Sequence, residues 1–261
     1  MSKKLDEKTR SSEIWVCHLG VVPYADALEM QHRVRSLRQD GDLPDSLLLL
    51  EHPPLYTRGR RSAPSDLPRG EGYYRERGIE IFDVDRGGRL TYHAPGQLVG
   101  YPIMGVSDVV AHVRTIEQAI VDALAAEGIG AHARVKDGPD YTGVWVQDRK
   151  IASIGVHVQR GVSTHGFAVN VSNELEPFSW VLACGLPDVS MTSVAREREL
   201  APGAPECRAG GELSCFRRRM AHAFSCAHGR RQRLVGPRAL GIEGPLAAPA
   251  GLRTDREPVP A

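Results

Sequence analysis

Lysine is scarce in this sequence. Of 33 basic residues only five are lysine (Lys3, Lys4, Lys8, Lys136 and Lys150), so the chain writes its positive charge as arginine. A lysine inside an ordered stretch therefore raises the question of why arginine was not used there. Long apolar runs are also missing. Runs such as Leu47 to Leu50 are far too short to cross a bilayer, so no membrane partner is expected. Net charge is nearly absent, at +1, which leaves no overall pull toward nucleic acid or an anionic surface. The first twelve residues contain no apolar stretch of the kind a secretory signal needs, and a cytoplasmic protein is expected.

Several chemical signatures are absent as well. There is no CxxC pair, so zinc is not expected, and no other metal or cofactor is called for. Neither GxxxxGK[ST] nor a true GxGxxG occurs, so no recognisable nucleotide loop is present. The cysteines (Cys17, Cys184, Cys207, Cys215 and Cys226) are odd in number and irregularly spaced. That argues against a disulfide framework and for a reducing compartment.

With 261 residues, 41% hydrophobic and 25% charged, the chain can bury a substantial core. Residues 14 to 20 read as a strand, and Tyr24 to Gln39 as a helix with Ala27, Met30, Val34 and Leu37 three or four apart. SLLLLEHPP (46 to 54) reads as a buried strand that feeds a surface loop. The Arg-, Pro- and Gly-rich stretch from Tyr56 to Gly72 reads as a long loop. Strand character returns at 79 to 84, 89 to 93 and 97 to 103, with Gly87 and Gly88 placed for a hairpin turn. Val109, Val113, Ile116, Ile120 and Leu124 then make an apolar helical stripe, stopped at Gly128. TGVWVQ and KIASIGVHV look like a hairpin, and STHGFAVNV like another strand. The pattern predicts an α/β fold of mixed β-sheets flanked by helices. Residues 1–12 are expected to be a flexible N-terminus and 13–228 the folded domain, with a helix from about Glu212 to Ala227. Residues 229–261, basic and rich in Pro and Arg, are expected to be a disordered tail.

Three segments carry chemistry. RGGRLTYHAPGQ (86 to 97) combines glycines, arginines, a tyrosine and a histidine in one loop; Lys150 opens a strand of apolar and small residues; and Cys184 is followed by Gly and Leu-Pro. Each alone has a plain reading, as a turn, a solvated lysine and a small buried thiol. Together with LLLLEHPPLYTRGR, STHGFAVNV and ACGLPDVSMTSV, in this order from about Ile14 to Arg196, they resemble the octanoyltransferases of lipoate biosynthesis. That family shares a superfamily with lipoate and biotin ligases.

The resemblance implies a biotin/lipoate ligase-like catalytic domain with a substrate tunnel. It implies transfer of an octanoyl group from octanoyl-acyl carrier protein to a lysine of a lipoyl domain, as found in 2-oxoacid dehydrogenase complexes or the glycine cleavage H protein. It puts the nucleophile on Cys184 and its activating lysine on Lys150. The substrate-binding segments fall on Arg86, Gly87, Gly88, Arg89, Leu90, Thr91, Tyr92 and His93, on Ser153, Ile154 and Gly155, and on Gly166, Phe167 and Ala168, with His52 close by. Two positions depart from the family pattern: Ala94 stands for a usual glycine and Ala183 for a usual proline. The nearest alternative is an ATP-dependent lipoate or biotin protein ligase, which would need no cysteine.

The chemistry agrees with these assignments. A free thiol has a pKa of about 8.5, so only a few per cent is thiolate at pH 7. An ammonium ~4 Å away contributes up to ~4 kcal/mol at an effective dielectric of ~20. At ~1.4 kcal/mol per unit that can lower the thiol by roughly three units. Lysine can also release a proton once desolvated, which arginine effectively cannot. Amides near Ser153 to Gly155 are candidates for the oxyanion site, and Tyr92 and His93 for walls of the acyl site.

Overall fold

The computed structural model describes residues 12–182, 189–200 and 211–243. Cys184, the linker-like stretch 201–210, residues 1–11 and the tail from 244 onward lie outside the described residues.

Two sheets organise the chain. The larger runs, from one edge to the other, through β12 (Arg231–Leu234), β1 (Glu13–Val21), β2 (Ser46–Glu51), β6 (Gln97–Ile103), β10 (Val162–Asn170), β9 (Arg149–Gln159), β8 (Gly143–Val146) and β7 (His132–Ala133). A short β11 (Ser190–Met191) lies parallel to the start of β9, with Met191 beside Lys150. The smaller sheet has β3 (Leu55–Arg58) between β4 (Glu80–Asp83) and β5 (Thr91–His93). Parallel and antiparallel pairs coexist in both, so the expected mixed sheets are present.

Helices cover both faces of the large sheet. On one face lie α3 (Val109–Ala125) and α5 (Gly211–Ala227); on the other lies α1 (Tyr24–Gln39). The remaining helices, α2 (Gly70–Arg75) and α4 (Val194–Leu200), are short. The C-terminal part of the α3 stripe is buried as its spacing predicts: Ile116, Ile120 and Leu124 are fully enclosed, each worth about 1.5–3 kcal/mol, whereas Val109 at the start of the helix is exposed. Asp108 caps this helix by accepting from the Val110 and Ala111 amides at 2.8 and 3.0 Å.

Four local expectations need correction. The stretch from Tyr56 is not all loop, because Leu55 to Arg58 is the central strand of the small sheet and Tyr56 and Thr57 are fully buried. Flanking prolines and arginines hide that strand in the sequence. Gly87 and Gly88 do not turn a hairpin: β4 runs parallel to β3 and β5 antiparallel to it, on opposite edges. The C-terminal boundary lies further on than 228. Residues 231 to 234 pair with β1, and Leu240 and Ile242 join the core under α1. Finally, Cys215 is disulfide-bonded, which departs from a fully reduced chain, while Cys17 and Cys226 are free thiols. Among the described residues, no helix is long and apolar enough to cross a membrane.

Candidate active site

Between the large sheet and the small one lies a cavity of about 590 Å³, its open mouth included. Its floor is a row across three neighbouring strands. Val99 on β6 stands opposite Ala168 on β10, which stands opposite Ser153 on β9. All three are small, so the groove stays open above them. The opposite wall is Leu90, Thr91 and His93, and Tyr24 and Tyr101 come in from the α1 side.

Lys150 reaches this cavity through an irregularity in β9. Strict strand alternation would set Lys150 and Ser153 on opposite faces. The register against β8 shifts between Val144 and Trp145, so that Lys150 stands opposite Trp145 while Ala152 stands opposite Val144. One extra residue in β9 reverses the parity, and Lys150 and Ser153 both face the cavity. The lysine is only 1% exposed.

Most of the polar side chains around the cavity already bond to the protein. The Arg86 guanidinium donates to the carbonyls of Gly87 and Arg89 at 2.9 and 2.8 Å, and to the Thr57 carbonyl and hydroxyl at 2.8 and 2.7 Å. It thereby ties its own loop to β3. Tyr101 donates to His52 Nε2 at 2.7 Å, and His52 Nδ1 donates to the Val22 carbonyl at 2.6 Å. His52 therefore sits one side chain behind the cavity wall, and burial lowers its pKa to about 4. His93 Nδ1 bonds Gln97 Oε1 at 2.7 Å. The Gln97 amide nitrogen donates to the Tyr92 carbonyl and Asn170 Oδ1, so its oxygen must accept and His93 Nδ1 carries the proton. Burial, with His52 nearby, holds His93 well below the ordinary histidine range, leaving a neutral ring.

His165 is held in an unusual way. Its φ is 55°, a left-handed conformation within a strand. Its amide donates to Gln31 Oε1 at 2.7 Å, and its Nε2 donates to Asp85 Oδ1 at 2.7 Å. Burial outweighs the attraction of Asp85 and lowers the imidazole to about 4, so this is a neutral ring on a charged carboxylate. The next residue, Gly166, has room for no side chain: a Cβ there would stand 2.2 Å from the Gly100 carbonyl oxygen.

The remaining loop glycines serve packing between the sheets. The Gly87 amide donates to Val156 at 3.0 Å, and a Cβ on Gly155 would stand 2.8 Å from the Gly87 carbonyl oxygen. Gly87 and Gly88 thus let the 86–89 loop press against neighbouring backbone, and they do not line the cavity. Tyr92 is also displaced from its expected place. Alternation along β5 sends it to the far face, where its ring meets Tyr56 and Phe178 at 5.3 and 5.4 Å.

Other expected residues are brought together: Arg86, Arg89, Leu90, Thr91, His93, Lys150, Ser153, Ile154, Gly155, Gly166, Phe167 and Ala168 all border the cavity. The described residues on either side of 183–188 are tied to the cavity's surroundings. Leu182 donates its amide to the Asp66 carbonyl, and the Asp66 carboxylate lies 3.4 Å from the cavity residue Arg89. Thr192 donates its amide to the Lys150 carbonyl at 3.0 Å. Of the free thiols described, Cys17 is buried in the α1-side core and pushed up to about 12, and Cys226 is exposed on α5 beside His222.

Comparison with known proteins decides the family. The sequence model of the lipoyl protein ligase A/B catalytic domain matches residues 23–206. The chain belongs to that family. It is 48% identical to an octanoyltransferase of Solibacter usitatus over 182 residues, 67% of this chain and 81% of the relative. An octanoyltransferase of Rubrobacter xylanophilus is 45% identical, with 68% and 80% covered. Among solved structures, lipoate-protein ligase A bound with ATP superposes with a TM-score of 0.69 at 18% identity, covering 86% of this chain and 89% of that one. A putative lipoate protein ligase of T. acidophilum with bound lipoic acid gives 0.67 at 18%, with the same coverage. These structures share the family's fold.

Seven cavity residues were not among the expected substrate-binding or catalytic positions: Tyr24, Val99, Tyr101, Pro139, Asp140, Thr142 and His165. Tyr24 starts a helix, Val99 and Tyr101 belong to an apolar strand, and 139 to 142 is a turn beside β8. None carries a local signal. Only His165, next to a glycine inside a strand pattern, could have been singled out.

Proposed function

We propose that this protein transfers an octanoyl group from octanoyl-acyl carrier protein to a lysine of lipoyl domains, through a thioester on Cys184 activated by Lys150. The broader statement, an acyltransferase of the octanoyltransferase group acting in protein lipoylation, rests on the family and on relatives 45–48% identical. The observation that carries the finer reading is a buried lysine on the wall of a cavity whose histidines, tyrosine and arginine bond to the protein itself. With these polar groups engaged, apart from the His93 Nε2 lone pair, the side chains present mainly carbon to a ligand, which suits an octanoyl tail. Its six or so methylenes are worth roughly 5 kcal/mol if fully buried, at ~0.8 each.

In the first half-reaction the Cys184 thiolate attacks the donor's thioester carbonyl. The new carbon–sulfur bond forms, the bond to the donor sulfur breaks, and the departing thiolate takes a proton. In the second, a lipoyl-domain amine attacks the enzyme thioester, the amide forms, Cys184 leaves as thiolate and the amine loses a proton. Lys150 is the group suited to stabilise the thiolate and relay these protons. Cys184 follows Leu182 by two residues, so its reach from that anchored residue is at most ~7 Å. Neutral His93, with its lone pair on Nε2, is suited to accept from the incoming amine.

The test is transfer without ATP. Octanoyl-acyl carrier protein and a lipoyl domain should yield an octanoylated domain, read by mass. Product only from free octanoate with ATP would make the protein a ligase. The floor supplies a second prediction. Ala168→Leu adds bulk at the centre of the Val99–Ala168–Ser153 row, and should cut octanoyl transfer roughly tenfold or more while a butyryl donor is still used. An unchanged chain-length profile would remove this cavity as the acyl site.

A further inference from the structure

Lys150 is fitted into its place by three residues to which the family resemblance assigned nothing. Gly143, on β8, has φ of 137°, a conformation that side chains rarely adopt. A Cβ there would stand 2.8 Å from Lys150 Cε and 2.3 Å from the Ala152 carbonyl oxygen. The lysine stem therefore passes over a bare Cα. Glu117, buried on α3, pins that Cα: its Oε1 accepts from the Gly143 amide at 3.1 Å, while Arg114 bonds its other oxygen at 2.5 Å. Trp145, fully buried and directly opposite Lys150 in the strand register, turns its ring toward the ammonium, with Nζ 5.3 Å from the centroid. The indole is fixed in turn by its N–H, which donates to the Tyr141 carbonyl at 3.0 Å. Arg134 lies 4.9 Å from the same ring.

We propose that Glu117, Gly143 and Trp145 form a socket that positions the Lys150 ammonium for its partner in the cavity, with Trp145 the positioning residue of greatest effect. This rests on the cysteine–lysine reading given above. A ring face within about 6 Å attracts a cation, and does so more strongly where water is excluded. The attraction is directional, so it sets where the ammonium stands. That position decides how strongly it can stabilise a neighbouring thiolate, because Coulomb energy falls with distance. The arrangement also accounts for lysine in an arginine-rich chain. A guanidinium is broader than an ammonium, and the Gly143 contact leaves the stem no room to retreat.

The experiment follows the rate of iodoacetamide alkylation at Cys184 against pH, by peptide mass, in the full-length protein. Wild type should show a midpoint well below that of an ordinary thiol. Trp145→Leu should raise the midpoint by half to one pH unit, slowing alkylation about three- to tenfold at a pH well below both midpoints, the range a lost cation–π contact supplies. Trp145→Phe keeps a ring and should restore part of the shift; it carries the test if the leucine variant does not fold. Glu117→Gln, which keeps the acceptor for Gly143, should match wild type, and Glu117→Ala should move the midpoint upward. Folded Trp145 variants with a wild-type profile would overturn the socket alone. A wild-type Cys184 that titrates as an ordinary thiol would overturn the cysteine–lysine reading, and the socket with it.

Discussion

Lys150→Met is expected to slow octanoyl transfer by roughly 10²–10⁴-fold, the range that proton-handling groups contribute. Methionine matches the length of the lysine stem, so it can lie over Gly143 and against Trp145 without a cavity. The fold should hold, because methionine fills the space of the buried lysine stem. Both half-reactions should suffer, since the same group serves thiolate formation and proton relay. Single-turnover acylation and the subsequent transfer are measured separately to check this. A variant within threefold of wild type in either step would exclude Lys150 from that step.

The second large effect is on stability against pH. His18, His52, His112 and His165 are all lowered to about 4, in each case first by burial. Arg217 and Arg218 add to this at His18 and His228 adds at His112, while Asp85 opposes it at His165. Each is depressed below its unfolded value of about 6.5, so its contribution is fully present above that pH. As pH falls, the unfolded chain takes up protons that the native state refuses, and stability is lost until about pH 4. At pH 5 each such group accounts for about 2 kcal/mol, and four together approach the 5–15 kcal/mol that holds a typical domain folded. Cooperative unfolding is therefore expected as pH drops from 6 toward 4. Urea midpoints measured at pH 7, 6 and 5 should fall steadily. His112→Leu should flatten the slope, because it removes one of the depressed imidazoles and its buried Nε2 has no hydrogen-bond partner to lose. A midpoint constant from pH 7 to 5 would contradict these assignments.

What the sequence made legible follows from periodicity. The Tyr24–Gln39 helix, the 46 to 51 and 97 to 103 strands and the Val109–Ala125 helix carry apolar patterns strong enough to read directly. β12 did not, because Arg231, Gln232, Arg233 and Leu234 are exposed on an edge, where no alternation is imposed. Leu240 and Ile242 were lost in a segment whose composition suggested disorder, yet both are core residues. For the site, the segments named by the resemblance supply twelve of the residues that border the cavity, while single side chains depended on register. Tyr92 faces away because β5 alternates, and Lys150 faces inward only because β9 carries an extra residue. Tyr24 and Asp140 reach the cavity from segments more than a hundred residues apart, a proximity that only the assembled sheets create.

The central claim is a thioester on Cys184 formed without nucleotide. Intact mass of the purified protein, after incubation with octanoyl-acyl carrier protein and no ATP, tests it most directly. The expected result is one octanoyl adduct that hydroxylamine removes and that Cys184→Ser lacks. An adduct that survives in Cys184→Ser, or none in the wild type while the lipoyl domain is still octanoylated, would contradict it.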